Sequence, residues 1–292
     1  MPRILMRAAD PERKITMHTI RAALDFISKR CRIRCLWICI GHLEHDGHAA
    51  EQAAQDRCAA VLYASEWAAQ TAIERYHADP KKVHVVPFGA NIECSRTLAD
   101  VQALVAARPL SPCKLLFIGR IWERKGGDLA LAVAKELNAS GLPTTLTLVG
   151  SQPPGNAPLP DYVRPMGFVS EATAEGRQLF DSLIADSHFL ILPSRAECFG
   201  VVFCEAASFG VPSVASNVGG IPSAVREGGN GRTFPLSAPA SEWAAYIRQV
   251  MSHRATYDQL ALSAFNEYQT RLNWDVSGKR ALEIFSALLP RK

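Results

Sequence analysis

Arg120 follows Gly119 at the end of an apolar run, and Lys125-Gly126-Gly127 opens the helical segment that comes next. Two cations and flexible glycines at a strand-to-helix junction suit a diphosphate. Unpaired backbone N–H groups at a helix start point at the anion, and an arginine can take its oxygens two at a time. Further on, Glu197 and Glu205 lie eight positions apart in Glu197-Cys198-Phe199-Gly200-Val201-Val202-Phe203-Cys204-Glu205, after Pro193-Ser194-Arg195. Glu197 falls in a loop and Glu205 about a turn and a half inside the following helix. Carboxylates there would accept hydrogen bonds from sugar hydroxyls, and Gly200 lets a ligand approach the positive end of the helix dipole. Val218-Gly219-Gly220-Ile221-Pro222 adds a tight turn at the same edge. Taken singly, each feature has a plainer reading: surface cations beside an ordinary turn, Glu197 as a helix cap, Glu205 as a satisfied acid.

The surrounding sequence supplies elements able to position these groups. From Lys114 the chain alternates: strand 114–118, helix 126–139, strand 145–149, a Pro153-Pro154-Gly155 loop, a strand within 162–169 and helix 176–185. Strand 189–192, a helix from about 200 to 209, strand 212–215 and a short helix ending near Glu227 follow. Strands alternating with helices of ten or more residues mean a parallel sheet covered on both faces, with ligands beyond the carboxyl ends of the strands. The tail from Ser241 to Leu289 is helical, with Trp243, Tyr246, Ile247 and Val250 spaced for a core.

Before Lys114, residues 59–63 and 83–86 read as strands. Ser65 reads as the N-cap of a helix over 66–76, with Trp67, Ile73 and Tyr76 available for packing. Residues 92–112, polar and alanine-rich and ending in Pro109 and Ser111-Pro112, read as a linker. The expected division is an unplaced segment 1–48, a partial first domain with linker 49–110, a second domain 111–270, and a helix in 271–292 that packs back on the first. Residues 1–48 give only a weak helical pattern around Thr16 to Ser28.

Composition bounds the alternatives. The chain has 292 residues, 48% hydrophobic and 21% charged, which suits two folded domains and excludes an intrinsically disordered chain. No apolar run approaches the roughly 18 residues of a membrane span, and the candidate Leu36 to Ile40 is much too short. Met1-Pro2-Arg3 leads into no apolar signal region, so a cytoplasmic location is expected. Residues 1–50 hold nine Lys or Arg against five Asp or Glu, so the whole formal excess of +4 sits there. Lys29, Arg30, Arg32 and Arg34 beside Trp37 could draw that end to the inner face of a membrane, although a solvated segment is the preferred reading. Cys31, Cys35 and Cys39 recur every four residues, as on one face of a helix. Without a fourth ligand, and without CxxC spacing among the eight cysteines, they do not make a metal site. His42, His45 and His48 likewise read as an irregular segment before a metal or catalytic cluster.

Taken together, "FIGRIWERKGGDLALAVAKEL", "LTLVG", "GFVS" and "LPSRAECFGVVFCEAASFGVPSVASNVGGIPSAVREGGNG" resemble the family 4 retaining glycosyltransferases, in the family's order and spacings. The resemblance extends back through "RCAAVLYASEWAAQTAIERYHADPKKVHVVPFGANI" and covers roughly Ala49 to Leu289. It implies an α/β chain of the GT-B type: two Rossmann-like, doubly wound parallel-sheet domains, the first incomplete. It implies a sugar moving with retention from a nucleotide-diphosphate-sugar donor to a glycan, lipid or other small acceptor, in glycan or polysaccharide biosynthesis. Carried over by position, Arg120 and Lys125 hold the donor diphosphate and Glu197 contacts the sugar, these three being catalytic. Glu205 binds the ribose, the backbone at Phe199, Gly200 and Val201 lies along sugar and phosphate, and Gly167, Phe168 and Val169 sit beside the base. No metal and no nucleic acid is implied.

Two departures stand out. After Gly219-Gly220-Ile221-Pro222 the family commonly has glutamate where this chain has Ser223. The front of the first domain, which supplies a glycine-rich loop and most of the acceptor site, has no counterpart in residues 1–48, whose only glycines are Gly41 and Gly47. The alternative is therefore a donor-binding module without transfer competence, or one that needs a partner chain. A nicotinamide-dependent oxidoreductase is disfavoured because no GxGxxG follows a strand.

Overall fold

The computed structural model describes residues 5–8, 36–40, 52–53, 55–155 and 158–288. The basic cluster Lys29 to Arg34, the pattern around Thr16 to Ser28 and the three histidines at 42, 45 and 48 lie outside the described residues.

Two all-parallel sheets organise the chain. The first has the order β1-β2-β3-β4, with β1 Leu5–Ala8, β2 Leu36–Ile40, β3 Ala60–Tyr63 and β4 Val83–Val85. The second is built from β5 Cys113–Gly119, β6 Thr144–Gly150, β7 Val163–Gly167, β8 Phe189–Leu192, β9 Ser213–Ser216 and β10 Gly231–Phe234, in the order β10-β9-β8-β5-β6-β7. Its interior strands are buried on both faces, which is why β8 is the unbroken apolar run Phe189-Leu190-Ile191-Leu192, each residue fully buried. From β5 the chain adds strands on one side as far as β7, then returns to β5's other flank with β8. That reversal parts the connections leaving the carboxyl ends of β5 and β8 and opens a crevice between them.

The helices are α1 Glu66–Tyr76, α2 Leu98–Ala107, α3 Trp122–Lys125, α4 Gly127–Ala139, α5 Ala174–Ala185, α6 Val201–Ala207, α7 Ile221–Ala224, α8 Ala240–Met251, α9 Arg254–Thr270 and α10 Trp274–Ala287. Among the described residues no helix is long and apolar enough to cross a membrane.

Several sequence expectations need correcting. The stretch 92–112 is not a loose linker but contains α2. Thr97 and Asp100 form a reciprocal capping box at its start, and Val101 and Val105 are buried in the second domain's core. Lys125 does not open the long helix. It ends the one-turn α3, and Gly126, in the left-handed conformation, closes that turn and starts α4. On α1 the alanines Ala69 and Ala72 face the core, while Trp67 is 40% exposed. Cys39 lies in β2, so the four-residue cysteine spacing does not follow one helix. Strand β10, unread in the sequence, completes the sheet edge.

The C-terminal helix returns to the first domain. Asn273 caps it, Ser277 donates to the Pro87 carbonyl, and the Trp274 indole donates to Asn91 at 3.0 Å. The Trp274 ring also packs against Phe88, which meets Phe199 edge-on at 5.4 Å between ring centroids.

At the opposite end of the second sheet, His188 is fully buried. Its Nδ1 accepts from the Lys114 amide at 2.9 Å, so Nε2 carries the proton and donates to the Pro109 carbonyl at 2.7 Å. Burial, with the charges of Arg108 and Lys114 nearby, lowers its pKa to about 4. Below pH 6.5 the unfolded chain takes up a proton that the folded site refuses until about pH 4. Stability contributed by neutral His188 is thus complete above 6.5 and declines as pH falls through that window, by up to about 3 kcal/mol. Urea midpoints measured from pH 7 to 4 should show this slope in the native chain and a shallower one in His188→Gln. Equal slopes would place the titration elsewhere.

Candidate functional site

The site residues gather along the carboxyl edge of the second sheet. Arg120 leaves the end of β5, Lys125 ends α3 just beyond it, and residues 193–200 leave the end of β8 across the crevice. Lys125 and Glu197 meet there in an ion pair, their side chains 11% and 14% exposed, with the more open Arg124 at 3.9 Å from the same carboxylate. Glu197 is therefore not the cap of α6. The cap position is Gly200, which makes no side-chain cap bond. Gly200 has φ +85°, and a side-chain carbon on it would come within 2.5 Å of the Phe203 ring, so both backbone and space demand glycine.

The loops that carry these groups are braced by residues the sequence reading passed over. Arg195 forms an ion pair with Asp128 at 2.7 Å and donates to the Glu123 carbonyl. Its amide donates to the Arg124 carbonyl at 2.8 Å, and Arg124 returns a bond to the Ala196 carbonyl at 3.2 Å. Three of these contacts knit α3, and the fourth the start of α4, to the loop after β8, and together they fix the separation of Lys125 from Glu197. The available signal was the position of Arg195, three residues past a buried strand and two before Glu197, with five donors to offer neighbouring loops.

Arg120 reaches the third candidate segment. Its guanidinium lies over the Phe168 ring, 5.1 Å from the centroid, within range of a cation–π contact. Phe168 is 65% exposed and Gly167 has φ +67° with open space about its Cα, so this rim presents an unburied aromatic face. Glu205, on α6, is 7% exposed, while the Phe199 ring is buried and structural, leaving only that residue's backbone to face a ligand. Val201 begins α6 and Val169 packs against the core. Burial, followed by the charge of Glu197, raises the Cys198 thiol pKa, so that neighbour stays protonated. Among the described residues no cluster of three or more His, Cys, Asp or Glu side chains could hold a metal ion.

A family model described as Glycosyl transferases group 1 matches residues 112–253, which contain Arg120, Lys125, Glu197 and Glu205. The D-inositol 3-phosphate glycosyltransferase of Mycolicibacterium paratuberculosis (strain ATCC BAA-968 / K-10) is 30% identical over 228 residues, covering 71% of this chain and 51% of its own length. The chain thus spans about half the length of such curated relatives. Among solved structures, a glycosyltransferase from Rickettsia africae ESF-5 superposes with a TM-score of 0.64 at 14% identity, over 99% of this chain and 85% of its own. Anabaena Alr3699/HepE in complex with UDP-glucose does so with a TM-score of 0.62 at 20% identity, over 92% and 76%. Matched over the segment that holds the paired cations and carboxylates, the chain carries a glycosyl transferases group 1 domain over residues 112–253, and its overall fold is the GT-B fold.

Proposed function

We propose that the chain is a retaining glycosyltransferase that takes a sugar from a nucleotide-diphosphate donor held in the crevice between β5 and β8. The observation that carries this reading is the Lys125–Glu197 pair at the sheet's switch point, with Arg120 beside it. In the reaction the bond from the anomeric carbon to the diphosphate breaks. The acceptor oxygen takes its place on the same face, and the acceptor proton passes to the departing diphosphate. Negative charge grows on that diphosphate, and cations already fixed in a partly buried crevice stabilise it without reorganising. Arg120 and Lys125 fill this role. Glu197 orients Lys125 and accepts from a sugar hydroxyl, Glu205 accepts from the ribose, and Phe168 offers its exposed face to the base. This scheme asks for no metal.

The acceptor enters from the first domain, and a glycan, lipid or polyol phosphate fits the reading, with the product used in glycan or polysaccharide synthesis in the cytoplasm. The test incubates the purified full chain with UDP-, GDP- and ADP-sugars, with D-inositol 3-phosphate or cell-extract acceptors, and follows nucleotide diphosphate. Acceptor-dependent release is expected. Silence with every donor would defeat the proposal, and tight donor binding without release would identify a binding module instead.

A further inference from the structure

The two domains touch at a point that the donor site does not require, and the contact is specific. Ser65 leaves the carboxyl end of β3 and caps α1, its hydroxyl accepting from the Ala68 amide at 3.2 Å. The first amides of a helix have no partner within it. The Glu66 amide finds one 157 residues away, donating to the Ser223 hydroxyl at 2.9 Å. Ser223 belongs to α7, which follows the turn Gly219-Gly220 beyond the carboxyl end of β9. The bond therefore joins segments that leave the carboxyl edges of both sheets.

On its other side this turn rests on the loop that holds Glu197. The Gly220 amide donates to the Glu197 carbonyl at 3.0 Å. A side-chain carbon on Gly219 would strike that same carbonyl, and one on Gly220 would strike the Cys198 carbonyl and stand 2.7 Å from the Ser65 hydroxyl. Three segments thus meet: the start of α1, through the Ser65 and Ser223 hydroxyls, the glycine turn, and the backbone of residues 197–198. Ser223 is also held from behind. Arg271, paired with Glu267 at 2.7 Å, donates to the Ser223 carbonyl, and it lies just before the chain crosses back to the first domain as α10.

We infer that Ser223 is an inter-domain latch: it gives the first amide of α1 its acceptor and so fixes the first domain against the turn that supports Glu197. It is a positioning residue, acting through the Gly219-Gly220 turn, and its effect on catalysis rests on the transferase reading above. A glutamate at this position would be longer and charged. Serine makes the bond at close range, so the two edges approach directly.

The test uses the full chain with Ser223→Ala and Ser223→Thr. Amide hydrogen exchange at Glu66 should be about tenfold faster in Ser223→Ala and near native in Ser223→Thr, which keeps the hydroxyl. With the donor that wild type uses, Ser223→Ala should lower kcat about tenfold and leave donor KM within twofold, because the donor contacts stay in place. The melting temperature should move little, and Ser223→Thr should restore most of kcat. Unchanged Glu66 exchange in Ser223→Ala overturns the latch whatever the activity does. Faster exchange with an unaltered kcat overturns its positioning role. A wild type that turns over no nucleotide sugar defeats the transferase reading alone, and the exchange comparison still decides the latch.

Discussion

Lys125→Ala will lower kcat for donor turnover about 10²–10³-fold, the usual loss when one preorganised charge is removed from a site where charge develops. The ammonium is almost covered and points at Glu197, and its stem lies against Gly119, where an added carbon would stand 2.7 Å from the lysine Cγ. That fit fixes the charge at the mouth of the crevice. In the resting chain Glu197 balances it. In the proposed reaction the diphosphate becomes the stronger anion as the donor's bond to the anomeric carbon lengthens, and stabilisation that grows along a reaction appears in kcat rather than in KM. Arg124 is 3.9 Å from Glu197 but its side chain is 42% exposed, so it cannot replace a desolvated cation. Lys125→Met is the companion variant: it keeps most of the stem, so packing against Gly119 survives while the charge does not. Both variants should lose activity alike in an assay of nucleotide diphosphate release. Activity in Lys125→Met within about threefold of wild type would show that the ammonium has no part in the chemistry.

The sequence was most readable where one local rule fixed the outcome. Ser65 before a helical pattern gave the N-cap and the limits of α1, because a capping hydroxyl satisfies amides only at that position. The run Phe189 to Leu192 gave β8, because only a strand covered on both faces is apolar at every residue. The candidate site was legible through glycines and charges at strand ends, and Lys125 and Glu197 do meet. What stayed hidden depended on partners far away in the chain. Strand β10, Gly231-Arg232-Thr233-Phe234, has two polar residues in four and is a strand only because it pairs with β9. Helix α2 looked like a linker because its alanines show no strong polar face, and its burial against α9 is a tertiary fact. The short α3 is a single turn, which no periodicity can reveal. The Ser223 departure was visible, but not that its hydroxyl bonds a helix start in the other domain.

Arg108→Met should destabilise the protein by about 3–5 kcal/mol, because four acceptors lose a charged donor at about 1–3 kcal/mol each before the site relaxes, and lower the melting temperature by roughly 10 °C. Arg108 is 4% exposed, and its guanidinium is held by four neutral acceptors. Nε donates to the Ala185 carbonyl at 2.9 Å, Nη2 to Phe209 at 2.7 Å, and Nη1 to Gly210 at 2.8 Å and to the Tyr257 hydroxyl at 3.0 Å. Ala185 ends α5, while Phe209 and Gly210 lie just past the end of α6. The positive charge thus sits where two helix dipoles place their negative ends and their last carbonyls lack helical partners. Arg254 repeats the device in reverse, donating to the Val105 and Arg108 carbonyls at the end of α2, at 2.6 and 2.8 Å. Methionine nearly fills the volume but leaves three buried carbonyls and a buried tyrosine hydroxyl without this donor. Arg108→Lys should recover only part of the loss, since one ammonium cannot span acceptors arranged for a planar fork. The measurement is thermal unfolding of the full chain, followed by circular dichroism at fixed pH. A lysine variant as stable as wild type would mean that charge alone, and not the fork, holds the base of the second domain. A methionine variant as stable as wild type would remove the helix-end account altogether. The outcome also bears on the active edge: α6 runs from the Arg108 clamp at its carboxyl end to Gly200 and Val201 at the crevice. A loosened base should therefore weaken donor binding even though Arg108 touches no part of the site.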